Sequence, residues 1–578
     1  MRPFTAAAAV LTVIALALLT GLSTASAKPG TKLRPPASGQ QGVVATESPA
    51  AARVGRSVLE GGGNAVDAAA ATVFALNVAR PQSCGIGGGG FMVYRSAKGA
   101  PAALDFRETA PARFTPDTLT PEGLHKDFTG HLTVGAPGTV AGMEAALRRY
   151  GTRSLARSIR PAERLAERGF EVPASLSAAM ADNADRLKLF PTAAKQFLRS
   201  GEPYPAGSTL RQPELARTLA TIRREGPDAF YRGSIARKID AEMDRTRAHP
   251  IPGDAALLAG TDLRRYEAKW RAPLVGSFRG RKLVAMPPPT SGGIAVLEML
   301  NILENFDNKA SGQSSADTLH RIIEAQKLAF ADRGEYVADP DFVRQPTGTL
   351  TSKQYAARRA ALIDPAKAGT PEPGLGPRAT VANGPENAAG TTTHLSVIDG
   401  WGNSVALTCT IEQEFGSAVV APGTGFLLNN EMTDFGAPGS ANEARAGKRP
   451  RSSMAPIIAS EAGRPIAVTG AAGGSRIIMG SLFIVLNRIV YGLPLNQSVD
   501  AERVDANEFP AKGIKVEEAR LASGVLESLR ARGHQLDLLG EYDTRPRVQA
   551  AGYQGQDGRT KDAVSDSRTD DGSLAQRR

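Results

Sequence analysis

Three consecutive threonines, Thr391, Thr392 and Thr393, stand where a loose Pro/Gly/Ala stretch meets a β-hairpin pattern. Residues 392–398 and 404–411 both read as strands, and the turn formers of "DGWGN", Asp399 to Asn403, join them. If Ile398 pairs with Ser404, the register sets Thr392 directly opposite Thr410, with both side chains on one face. A one-residue slip would separate the two hydroxyls. A threonine exposed as a new N-terminus is a complete small catalytic unit. Its hydroxyl attacks, its α-amine titrates near neutrality and serves as base, and a neighbouring hydroxyl orients the nucleophile. From the hairpin alone, a threonine-rich strand without chemistry is the plainer reading.

The elements that must position this hairpin can be followed along the chain. Residues 28–41 read as a flexible leader. A short strand at 42–46 precedes a helix from about Pro49 to Glu60, which Gly61–Gly63 end. Asn64 caps the next helix, with Asp67 in its first turn. Helical periodicity dominates from 138 to 362, and strand-like pieces lie near 90–95, 102–106 and 273–286. Residues 368–390 form an exposed Gly/Pro-rich linker. Strand patterns follow it up to a helix near 475–491, and the tail beyond about 540 is polar and partly irregular. "GIGGGG", Gly85 to Gly90, satisfies a dinucleotide-binding spacing but is followed by strand-like "FMVYR" rather than a helix, so that function is rejected.

Composition bounds the function classes. The 578 residues carry a formal charge of +11, but the charges are dispersed and aromatics make up only 5%, which argues against a nucleic-acid partner. The N-terminus has Arg2, an apolar run to about Leu19 and the small-residue exit Ala25-Ser26-Ala27. It reads as a signal peptide, residues 1–27, so the mature protein is expected to be exported without a membrane anchor. Two cysteines, Cys84 and Cys409, and six scattered histidines give no zinc-type spacing, so no metal or other cofactor is expected. Whether the two cysteines pair stays open.

"TTHLSVIDGWGNSVALTCTIEQEFGS" resembles the start of the small subunit of gamma-glutamyltransferases, which are N-terminal nucleophile hydrolases. The resemblance continues through "GFLLNNEMTDF", "KRPRSSMAP" and "TGAAGGSRI". Before the linker it includes "GGNAVDAA", "CGIGGGGFM", "LDFRETAPA", "GAPGTVAGM" and "EAQKLAFADR". It spans nearly all of 42–540, in order. It implies an α/β fold, a four-layer αββα sandwich built jointly by two autoprocessed fragments, 28–391 and 392–578, cut between Thr391 and Thr392. It makes Thr392 the nucleophile and Thr410 its supporting hydroxyl, with His394 a packed strand residue.

By the same resemblance, Arg107 grips the α-carboxylate of a γ-glutamyl donor with its planar fork, helped by Ser452 and Ser453. Glu431 and Asp434 take the donor ammonium. Gly473 and Gly474 supply oxyanion-hole N–H groups. Read without the family, Arg107 is a surface ion pair, the serines are loop residues, and the two acids form a solvated turn.

Two departures stand out. Glu412 replaces the asparagine of many members, at a position that contacts the donor's α-amino acid end, so its charge would suit the ammonium and repel the carboxylate. The stretch from Phe435 to Arg451 is short, as in members without a lid loop. The expected activity is transfer of the γ-glutamyl group of glutathione-like donors to water or to amino acid or peptide acceptors. The alternatives are a glutaryl-amide (cephalosporin-type) acylase and a non-catalytic secreted binding protein on the same scaffold.

Overall fold

The Thr392–Ile398 strand pairs antiparallel with Ser404–Thr410 in the expected register, Ile398 opposite Ser404 and Thr392 opposite Thr410. The computed structural model describes residues 33–119, 128–244, 251, 254–377, 390–506, 513–543, 546–554, 558–570 and 572–577. The signal-peptide reading and most of the 368–390 linker fall outside these residues; of the described linker residues, 368–377 are mostly exposed and Gly390 is buried. Arg34 to Arg578 form one unit.

Two seven-stranded sheets dominate it. The Thr392–Thr410 hairpin lies in the middle of the first, flanked by Val43–Thr46 on one side and Gly89–Arg95 on the other. The second sheet is centred on Ile457–Glu461, Arg464–Ala472 and Arg547–Tyr553. Side chains alternate along the strands. Met92, Tyr94, Leu395 and Val397 pack into a core with the helices Pro49–Glu60 and Ala65–Ala79. Phe91, Val93, Ala45, Ile398 and Ala406 face the second sheet, whose outer side is covered by the helices Gly292–Leu303, Ala316–Tyr336 and Ile477–Ile489. Helix, sheet, sheet, helix is thus the layer order. Both hairpin strands are buried along their whole length, which is why they lack a clean polar alternation.

Local devices hold the hairpin in place. Asp399 accepts the N–H groups of Trp401 and Asn403 in the turn and, with its other oxygen, the N–H of Ala65 at the start of a helix. That helix carries the Asn64/Asp67 capping box. The glycine run has a packing reason: a Cβ on Gly88 would sit 2.0 Å from the Thr410 carbonyl oxygen, and one on Gly90 2.2 Å from that of Thr408. Cys84 and Cys409 are joined by a disulfide, so the segment before the glycines is tied to the same strand.

The tail corrects the sequence reading. Arg547–Tyr553 and Lys561–Ser565 are strands of the second sheet, and Gly572–Ala575 pairs with Val43–Thr46 in the first. These strands are short and carry polar residues such as Gln549, Lys561 and Ser565, all buried by the sheets on which they lie. That hides them from a hydrophobic-pattern test.

Candidate active site

Thr392 opens its strand at one end of a cleft, 5% exposed, and its Oγ1 lies 3.3 Å from Thr410 Oγ1. Thr410 Oγ1 also accepts the backbone N–H of Glu412 at 2.8 Å. The preceding residue is fixed as well: Thr391 N–H donates to the Glu412 carbonyl at 2.7 Å, and Thr391 Oγ1 to the Gln82 carbonyl at 3.4 Å. Glu412 adopts a left-handed backbone, φ 77°, which turns the chain so that its amide and carbonyl serve both threonines.

Gly390, the described end of the linker, packs on Gly474; a Cβ there would lie 3.3 Å from the Gly474 Cα. Gly473 and Gly474 have φ 133° and 61°, conformations that favour glycine, and they lead into the helix Ile477–Ile489. The chain bearing the Thr391–Thr392 peptide therefore lies against the turn that carries the candidate oxyanion donors.

Arg107 is buried, with 1% exposure, and is not the surface ion pair of the isolated reading. Its Nη1 bonds Glu431, its Nη2 bonds Asp434 at 2.5 Å, and its Nε and Nη2 donate to the carbonyls of Pro450 and Arg451, each at 3.2 Å. Glu108 lies 3.8 Å away. Burial alone would lower the Arg107 pKa, but Glu431, Asp434 and Glu108 outweigh it and hold the guanidinium firmly charged.

The acids outnumber that cation. Burial pushes Glu431 and Glu412 well above the usual carboxylate range, and Glu108 up to about 7, despite Arg107. Glu412 therefore holds a proton beyond the ordinary range, which eases the repulsion expected from a carboxylate there. The buried Glu431 also corrects the solvated-turn reading of Glu431 and Asp434.

Ser452 and Ser453 line the same cleft. Ser452 Oγ accepts the Met454 N–H at 3.1 Å, and its carbonyl is held by Ser291 Oγ at 2.6 Å. Ser453 Oγ receives Arg333 Nη2 at 2.7 Å, while Arg333 Nε donates to Ser291 Oγ at 2.6 Å. Arg333 is a cleft residue that sequence reasoning missed. It sits at the end of "EAQKLAFADR", whose helical pattern signalled packing only.

The Phe435–Arg451 stretch folds back on itself as one wall. Asn442 Nδ2 donates to the Asp434 carbonyl, Asn442 Oδ1 accepts the Arg451 N–H, and Lys448 Nζ holds the Ala441 and Glu443 carbonyls. Two residues into the hairpin, His394 is buried between the sheets. Its ring bonds Thr408 Oγ1 at 2.8 Å and Ser396 Oγ at 3.1 Å, and burial pushes it down to about 3. It lies away from the cleft lining.

The four-layer architecture, with a hydroxyl residue opening a central strand at the cleft, defines an N-terminal nucleophile hydrolase. The solved cephalosporin acylase from Bacillus halodurans superposes with a TM-score of 0.85 at 29% identity, covering 96% of this chain and 99% of that one. The chain belongs to the gamma-glutamyltranspeptidase family, whose model matches residues 51–576. It is 42% identical over 526 residues to the glutathione hydrolase proenzyme of Escherichia coli strain K12, covering 87% of each chain. It is 39% identical over 512 residues to the acylase ACY 1 proenzyme of Pseudomonas sp. strain SE83, covering 87% of this chain and 88% of that one. No helix among the described residues is long and apolar enough to cross a membrane.

Proposed function

We propose that this enzyme is an exported, self-cleaving gamma-glutamyltransferase that releases the γ-glutamyl group of glutathione-like donors through an ester on Thr392. The observation that carries the reading is the Thr392–Thr410 hydroxyl pair opening onto the Arg107, Glu431 and Asp434 cluster.

In the precursor, Thr392 Oγ1 attacks the Thr391 carbonyl carbon. The peptide C–N bond breaks, the Thr391 acyl group passes to Oγ1, and water hydrolyses that ester. Fragments 28–391 and 392–578 result, with a free α-amine on Thr392. The amine then takes the Oγ1 proton as Oγ1 attacks the donor's γ-carbonyl. Charge developing on the carbonyl oxygen meets the N–H groups of Gly473 and Gly474. The leaving amine departs with the proton, and water or an acceptor amine releases the acyl group.

Arg107, Ser452 and Ser453 take the donor's α-carboxylate, and Glu431 and Asp434 its ammonium. For this the donor exchanges partners with the Arg107 cluster: its carboxylate replaces acids at the fork, and its ammonium meets the acids so released. Since water vastly outnumbers any acceptor, transfer depends on a site that positions the amine. The short Phe435–Arg451 wall supports hydrolysis exceeding transfer.

The acylase relatives keep a glutaryl-amide substrate as the second reading. A glutaryl group lacks the ammonium that Glu431 and Asp434 would receive. Parallel assays of γ-glutamyl and glutaryl anilides decide between them. Turnover of the γ-glutamyl anilide is expected, and preference for the glutaryl compound overturns the reading.

A further inference from the structure

Far from the cleft, His320 and Glu324 lie one turn apart on the helix Ala316–Tyr336, and His534 reaches them from 214 residues further along the chain. All three are buried, and one donor atom from each lies within 4.8 Å of the others. We propose that His320, Glu324 and His534 bind a zinc-class divalent cation.

The hydrogen bonds prepare the ligands. His320 Nε2 faces the Asp364 carbonyl at 2.8 Å, and a carbonyl only accepts, so Nε2 carries the proton and Nδ1 presents a lone pair inward. A histidine ligand whose second nitrogen donates to a backbone carbonyl is a recurrent arrangement around metals. His320 Nδ1 faces His534 Nε2 at 2.7 Å. The other His534 nitrogen, Nδ1, is buried without a hydrogen-bond partner in a side chain 4% exposed. Moving the His534 proton from Nε2 to Nδ1 therefore gives up only the bond between the two rings and leaves a lone pair on each of the facing nitrogens. Two nitrogens on one tetrahedral zinc lie roughly 3.3 Å apart, so the rings need part by only about 0.6 Å.

Glu324 is held through both oxygens, Oε1 by Lys327 Nζ at 2.7 Å and Oε2 by Gly369 N–H at 3.0 Å, and each oxygen keeps a further lone pair. Lys327, bonded to Glu324, and the Arg532 guanidinium, which acts on both histidines, oppose a cation there and set a ceiling on affinity.

Position suggests what the ion would do. His320 and Glu324 precede the proposed cut and His534 follows it, so the metal would clip the two fragments together. It would do so beside Gly369, at the start of the linker, where Ala368 N–H also bonds the Arg532 carbonyl. The clip rests on cleavage before Thr392; the site itself does not.

The test is zinc content per chain after dialysis of the full-length protein against buffered micromolar zinc. Wild type and the uncut Thr392→Ala protein should each hold one zinc. His320→Gln and His534→Gln should bind at least about tenfold more weakly, and Lys327→Met more tightly. Zinc absent from wild type, or retained equally by His534→Gln, overturns the proposal. If the histidine variants fail to fold, cobalt(II) added to wild type decides. Tetrahedral-type visible bands support the site, and their absence refutes it.

Discussion

Two buried polar groups differ in balance: the His394 ring inside the hairpin, and the Arg107 cluster in the cleft onto which Thr392 opens. Both ring nitrogens of His394 are hydrogen-bonded. The ring bonds Thr408 and Ser396, and the single Ser396 hydroxyl proton is shared between the carbonyls of Val468 and Gln549 in the facing sheet. A Cβ on Gly470 would come within 2.4 Å of this ring, so the second sheet is shaped to receive it. At the cleft, one guanidinium faces Glu108, Glu431 and Asp434, with Glu412 close enough to perturb them. A satisfied network fixes two sheets together; an acid-rich cluster around one cation is costly unless something else binds. The contrast fits packing for His394 and, on the proposed function, donor binding for the Arg107 cluster.

The largest break in that contrast should come at Arg107. Arg107→Lys keeps the charge and loses the fork, and in correctly processed protein it should raise KM for γ-glutamyl donors roughly ten- to a thousandfold, for about 1.5–4 kcal/mol lost. An unchanged KM would remove Arg107 from the donor site. Thr410→Val removes the hydroxyl beside Thr392 and should slow both self-cleavage and kcat by roughly a hundredfold; normal rates of either would separate the two hydroxyls functionally.

At His394 the effect should be on stability. His394→Ala strands Thr408 and Ser396 and should cost about 1–3 kcal/mol, seen as a lower Tm with KM unchanged. A KM shift without a Tm shift would reverse the assignment. Glu108 gives a pH-dependent counterpart. Its folded pKa, pushed up to about 7, exceeds that of the unfolded chain, so the folded state binds the extra proton between the two values. Stability should therefore fall as pH rises toward 7, and Glu108→Gln should flatten that slope in Tm against pH.

The smallest effect is expected at Glu412. Because burial holds the Glu412 proton on to higher pH than in an ordinary glutamate, Glu412→Gln should leave donor kcat/KM within about threefold below that titration and diverge only above it. A large loss at neutral pH would show that the carboxylate itself recognises the donor.

The sequence was most legible where a local rule acts. The turn formers of "DGWGN" set the hairpin register, and the Asn64/Asp67 box placed a helix start to the residue. The site was legible as a set of motifs, but not how those motifs combine. Nothing local tells that Arg107 is buried against Glu431, which lies 324 residues away, or that Arg333 reaches Ser453. Glu412 looked like an intrusive charge because burial, which holds its proton on, is a property of the folded cleft. The final strands were missed because their polar residues are buried by partners from the other end of the chain, as when Ser565 Oγ donates to the Thr46 carbonyl.

The central claim is that Thr392 becomes the N-terminus that does the chemistry. Its most direct test is N-terminal sequencing of the smaller band from purified protein on a denaturing gel, beside the Thr392→Ala variant. The account predicts a fragment beginning Thr392-Thr393-His394 in the active enzyme, and a single uncut, inactive chain in the variant. A fragment beginning at Thr391 or Thr393, or cleavage and activity persisting in Thr392→Ala, would contradict it.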